Sequence, residues 1–259
     1  MERLRNEQPK GLSRSGLRKW GILFVILGVF GCSILQTRFL GLMNMNSQQL
    51  LEAMNTGSDV VLAVTISVVL QFVETCAVPI FAFLLADGFV HTSDPLKYVC
   101  RIAGVAVLAE LPYNFAMSEK LLDFQTRNPA FGILLAAVIL YLYQQFSQKK
   151  AVNLLLKTLF TAAAIIWCGI LRIEHGIPAV ILTLVFWAVR NKLNIRNLVG
   201  GAAAMACSLY SPFYMVAPMS IMVLHFYNGE KGEENRLVSY LFYPVVLLVF
   251  AVVGNLVCS

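Results

Sequence analysis

Apolar stretches alternate with short polar breaks along the whole chain. Nine such stretches stand out, at 20–37, 60–86, 98–117, 129–147, 151–171, 176–189, 197–210, 213–228 and 237–257. A helix satisfies its own backbone groups, so an apolar run of about 20 residues suits a ~30 Å hydrocarbon core. The pattern predicts an all-α fold: a polytopic transmembrane helix bundle of about nine spans, within a range of eight to ten. Stretches 176–189 and 213–228 are short at a rise of ~1.5 Å per residue, which predicts re-entrant or loop-extended segments. The second stretch is long and holds Pro79. Proline lacks an N–H and clashes with the carbonyl four residues back, so a kink or break is expected there. After the first stretch, Asn46 and Gln49 are spaced to cap a short interfacial helix with Leu50, Leu51 and Met54 on one side. No internal repeat is visible. The simplest organisation is a basic cytoplasmic segment, 1–19, followed by one transmembrane domain, 20–259.

Composition agrees with this picture. Of the 259 residues, 58% are apolar and 13% charged, and the mean hydropathy is +0.72. A soluble domain carries about 25% charged residues, and a disordered chain lacks apolar surface to bury. The formal charge of +6 reads as topology rather than nucleic-acid binding. Basic residues collect on cytoplasmic loops, and here no polar stretch interleaves them with aromatics. With the N-terminus inside, all the Lys and Arg except Arg38, Lys120, Arg127 and Arg172 fall on the inner side. An odd number of spans then places the C-terminus outside. The apolar run from Trp20 to Leu35 reads as a first span rather than a cleavable signal. Six cysteines are scattered without a CxxC pair or Cys/His cluster, so neither metal nor disulfide is expected.

Polar groups inside a bilayer cost about 2.5–3.5 kcal/mol each on insertion scales, so they point to function. Glu74 lies thirteen residues before Asp87, and Glu110 twelve residues after Tyr98. Helical rise puts both carboxylates about 20 Å from the inner surface, where they are expected to face each other. With Asn114 they form a candidate substrate site. A membrane carrier using these carboxylates is the alternative reading. On the inner side, Asp87 and His91 are one helical turn apart, so the carboxylate can orient the imidazole as a general base. Lys97 and Arg101 follow, and His225 and Asn228 end another stretch on the same side. Glu174 and His175 form a tight outer turn near Arg172. That turn is either solvated or a contact for an outer acceptor.

The run from Pro79 to Thr92, PIFAFLLADGFVHT, followed by Lys97-Tyr98, Arg101 and Glu110-Leu-Pro-Tyr-Asn, resembles the TraX family. These are bacterial integral membrane proteins named for conjugative pilin N-acetylation. Tyr227-Asn-Gly-Glu-Lys-Gly and Tyr240-Leu-Phe-Tyr-Pro resemble two further family segments, and Glu174-His-Gly resembles its DYG turn. The resemblance implies an acyltransferase of the bacterial inner membrane that takes an acetyl group from cytoplasmic acetyl-CoA to an amine, a pilin or another envelope acceptor. It makes acetyl-CoA the co-substrate, with Lys97, Arg101, His225 and Asn228 to hold it and His91, Asp87 and Glu110 as the catalytic set. The chain departs from the family pattern in three places. Its first span lacks an Asp-His pair, Thr75 stands where an Arg is usual, and Val246 where a histidine is usual. A non-catalytic relative is therefore a further alternative.

Overall fold

A computed structural model describes residues 11–41, 45, 47–146, 150–233 and 235–258. The first helix, α1, covers Arg14–Val29 and continues as a π-helix over Phe30–Phe39. Ser13 caps it by accepting from the Gly16 amide at 3.3 Å. Arg14, Arg18 and Lys19 therefore lie in the first turns of this helix. A short helix, α2, spans Ser47–Thr56, where the interfacial helix is expected; Asn46, its expected cap, lies outside the described residues.

The second apolar stretch is broken. Helix α3, Ser58–Glu74, stops at Thr75, and α4, Ala77–His91, begins two residues later. Thr75 is four residues before Pro79, so its carbonyl is the one the proline ring cannot accommodate. The break is filled from across the bundle. The buried Thr75 hydroxyl donates to the carbonyls of Phe72 and Phe213, at 2.7 and 3.1 Å, and Cys76 Sγ lies 3.4 Å from the Val216 carbonyl.

The remaining helices are α5 (Pro95–Ser118), α6 (Ala130–Gln145), α7 (Lys150–Ile170), α8 (Gly176–Ala188), α9 (Leu193–Ala206), α10 (Ser220–His225) and α11 (Arg236–Cys258). Among the described residues, five helical stretches are long and apolar enough to cross a membrane: Arg14–Phe39, Ser58–His91, Pro95–Ser118, Val152–Ile170 and Val238–Leu256. The other four expected spans correspond to shorter helices. The stretch expected at 213–228 is short 3₁₀ turns followed by α10. Pro212 precedes it and Pro218 interrupts it, and its first half plugs the α3–α4 break.

Helix α4 is apolar on all sides and sits at the centre, burying Ile80, Ala82, Phe83, Leu84, Leu85 and Ala86. Helix α7 lies outermost and exposes Leu154, Leu155, Leu159 and Ile166. An apolar face of that extent belongs against lipid.

Candidate functional site

One end of the bundle is basic. There the segment after α10 runs beside the start of α1: the Leu12 amide donates to the Phe226 carbonyl at 2.7 Å, and the Arg14 amide to the Glu230 carbonyl at 2.7 Å. Gly229, with φ +84°, turns the chain there. This clip fixes the register of α1 and aims Arg14 at α4. The Arg14 guanidinium pairs with Asp87 Oδ2, and Tyr227 donates to the same oxygen at 3.1 Å. Burial and the Asp87 charge raise the Tyr227 phenol above its ordinary pKa.

His91 completes the group. Its Nδ1 lies 2.8 Å from the Asp87 carbonyl, 3.6 Å from Asp87 Oδ1 and 3.1 Å from Arg14 Nη2. The Asp87–His91 spacing thus brings the two residues close, but the imidazole meets the Asp87 backbone carbonyl and not its carboxylate. Yet Asp87 is already neutralised by Arg14, and the His91 side chain is 55% exposed against 14% for Asp87. His91 stands at the rim of the cluster.

That rim borders a bowl of ≈ 520 Å³ lined by Arg14, Arg18, His91, Lys97, Arg101 and Lys231, with Asp94 as its acid. Asp94 caps α5 by accepting from the Lys97 amide at 3.0 Å and faces the Lys97 ammonium at 3.0 Å. Those two contacts lower its pKa below the usual carboxylate value. Lys97 and Arg101 both line the bowl. His225 is not on this wall. It lies beside a separate apolar groove, with Nδ1 3.3 Å from Asn197 Nδ2. The Asn228 side chain accepts from the Glu230 amide at 3.0 Å and shapes the clip.

Beside the bowl lies a shaft of ≈ 190 Å³, walled by α1, α4, α5, α6, α8 and α11 and by the end of α3. The two cavities share Arg18, Leu84, Tyr98, Ser239 and Tyr240, which border both. Apolar residues such as Phe81, Ile102 and Ile133 line most of the shaft. Its far end carries two acid–base groups, Glu74 and His175. Glu74 ends α3 at the chain break and lies flat on Gly28 of α1, where any Cβ would collide with it.

Around that far end the outer turns are laced together. The Arg127 amide donates to the Arg172 carbonyl at 3.1 Å, and the Glu174 amide to the Arg127 carbonyl at 2.9 Å. Tyr113 donates to Glu174 Oε2 at 2.8 Å. His175 adopts a left-handed backbone, φ +56°, as it leads into α8. Its Nδ1 lies 2.8 Å from the Tyr214 hydroxyl, and Tyr214 is 1% exposed. The outer turn is thus built into the bundle and not simply solvated.

Glu110 takes different partners from those expected. Arg127 Nη1 donates to its Oε1 at 2.7 Å, and Asn128 Nδ2 to its Oε2 at 2.7 Å. Among the described residues it shares no hydrogen bond with Glu74, and it does not line the shaft. Asn114 is also away from the shaft. It is 1% exposed, and among the described residues neither amide atom has a hydrogen-bond partner.

Sequence reasoning treats Arg14 and Arg18 only as part of a basic N-terminal cluster, and Tyr214 not at all. The one available signal is local: Ser13 as a helix cap with arginines one turn apart, at 14 and 18, on a single face. Nothing local marks Tyr214, which reaches His175 only through the fold.

Comparison with known proteins matches residues 42–254 to the family described as TraX protein. The probable fimbrial assembly protein FimC, serogroup H1, of Dichelobacter nodosus is 28% identical, over 68% of this chain and 79% of that protein. No solved structure matches. Arg14 and Arg18 lie outside the region matched to the family.

Proposed function

The chain belongs to the TraX family, and on that premise we propose that it is an integral membrane acyltransferase moving an acetyl group from acetyl-CoA to an amine. The observation that carries this reading is the adjacent pair of cavities, which share Arg18, Leu84, Tyr98, Ser239 and Tyr240. A bowl rich in Arg and Lys suits the phosphates of a nucleotide-bearing donor, because charge-assisted hydrogen bonds to guanidinium and ammonium groups are the strongest a side chain offers. An apolar shaft beyond it suits a long, mostly uncharged arm ending in a thioester. Arg18, Lys97, Arg101 and Lys231 would hold the phosphates, and His91, Asp87 and Arg14 would shape the mouth.

In this reading the basic end faces the cytoplasm of a bacterium, Ser259 lies outside, and the shorter helices complete nine passages through the inner membrane. The acceptor approaches from the side opposite the bowl. The fimbrial assembly relative supports a pilin or fimbrial subunit in that role. The pairing of Glu110 with Arg127 leaves one of the two acids a carrier would use already committed.

The test is to incubate purified, membrane-reconstituted protein with labelled acetyl-CoA and bacterial membranes, and to follow CoA release together with transfer of label. Release above that of membranes alone is expected. Its absence would remove the acyltransferase reading.

A further inference from the structure

We infer that His175 is the catalytic base of this chain, acting at the deep end of the shaft, with Tyr214 as its positioning residue; this rests on the acyltransferase reading. Three features set His175 apart from His91 and His225, the other histidines of the chain. It lines the shaft, which the other two do not. Its Nδ1 is engaged by a buried tyrosine at 2.8 Å, and no hydrogen bond among the described residues involves its Nε2. A base in use has this arrangement, with one ring nitrogen held and the other available. Its backbone also occupies the left-handed region at φ +56°, which a non-glycine side chain adopts at a cost. Such conformations persist where the surroundings enforce them and concentrate at functional sites. Here the enforcement is visible: the backbone link between Arg127 and Glu174, the Tyr113–Glu174 bond and the Tyr214 contact all converge on this turn.

The far end of the shaft is also where the thioester would be delivered, if the phosphates sit in the bowl. A neutral acceptor amine attacks the thioester carbonyl. The C–N bond forms, Nε2 of His175 takes the proton released by the amine, and the C–S bond breaks. The departing thiolate then takes that proton from the imidazolium, leaving amide and CoA thiol. Glu74, the other acid–base group at this end, faces the same space and would pair with the acceptor ammonium and take the proton it sheds to become the neutral amine.

His175→Gly is the discriminating variant, because glycine adopts φ +56° freely and the turn keeps its shape. In the assay above, His175→Gly should release CoA about 100-fold more slowly or worse. Added imidazole should restore part of the rate, and acetyl-CoA binding should be unchanged. Tyr214→Phe keeps the packed ring and should lower kcat without raising KM for acetyl-CoA. If His175→Gly loses acetyl-CoA binding, the variant has lost its fold and Tyr214→Phe decides the matter alone. Undiminished kcat in a folded His175→Gly, or in Tyr214→Phe where that variant decides, overturns the assignment while leaving the acyltransferase reading intact. Absence of turnover by the unmutated protein overturns both.

Discussion

Arg127 donates from Nη1 to Oε1 of Glu110 across 2.7 Å, with the two side chains 24% and 15% exposed. The pair joins α5 to the turn that precedes α6, and Asn128 closes it from the other side. Removing one member of a largely buried pair leaves the other charged and unpaired, at a typical cost of 3–5 kcal/mol. Because this pair keeps some solvent contact, Arg127→Ala should lose about 3 kcal/mol. Glu110→Gln, which still accepts from Asn128, should lose less. Denaturation in detergent measures both, and an Arg127→Ala variant as stable as the parent would deny the pair its structural role.

Gly28 is the point where α1 passes the Glu74 carboxylate. A valine there has no room, since even a Cβ meets the Glu74 side chain. Gly28→Val should destabilise the protein by about 1–3 kcal/mol, the usual range for overpacking a tight contact. It should also displace Glu74 from the shaft wall. Thermal stability equal to that of the parent would show that α1 is free to move away from α3.

Arg18 borders both the bowl and the shaft. If donor phosphates lie there, Arg18→Ala removes a charge-assisted contact worth about 1.5 kcal/mol, roughly a tenfold loss of affinity. Equilibrium binding of acetyl-CoA reads this directly, and the loss should shrink as salt is raised. Unchanged affinity at low salt would move the phosphates elsewhere.

Asp94 caps α5 with a pKa held below its ordinary value of 3.8 by the amide and ammonium of Lys97. A group whose pKa is lower in the folded protein favours folding when ionised. Its contribution is therefore complete above the ordinary value and disappears as pH falls through the lowered one. Asp94→Asn keeps a capping oxygen but loses the charge. The stability gap between parent and Asp94→Asn should be constant near neutrality and should close in acid. A gap that widens in acid would reverse the sign of this contact.

A reporter that is active only in the cytoplasm, fused after Ser259, should stay silent. A bright signal would require an even number of crossings between α1 and α11.

How much of this is legible in the sequence follows from what hydropathy measures. It is a property of one segment at a time, so it finds the apolar helices, the weakness at Pro79 and the shortness of 176–189 and 213–228. Spacing within one helix is equally local. The closeness of Asp87 and His91 can be read from one turn of α4, although the imidazole lies 2.8 Å from the Asp87 backbone carbonyl and 3.6 Å from its carboxylate. The Glu74–Glu110 pairing fails because equal depth says nothing about which way each helix face turns. That depends on neighbours far away in sequence: Arg127 claims Glu110, while Gly28 makes the place where Glu74 lies. The bowl needs Arg14 and Arg18 brought to α4 by a backbone clip to residues 226–231. The shaft needs residues from seven helices at once, and the setting of His175 needs Tyr214, 39 residues away. The sequence by itself therefore determined a membrane-spanning helical protein and the positions of its polar groups along each helix. Which of those groups share a cavity was decided by packing between helices, because only long-range contacts set how each helix is rotated about its own axis.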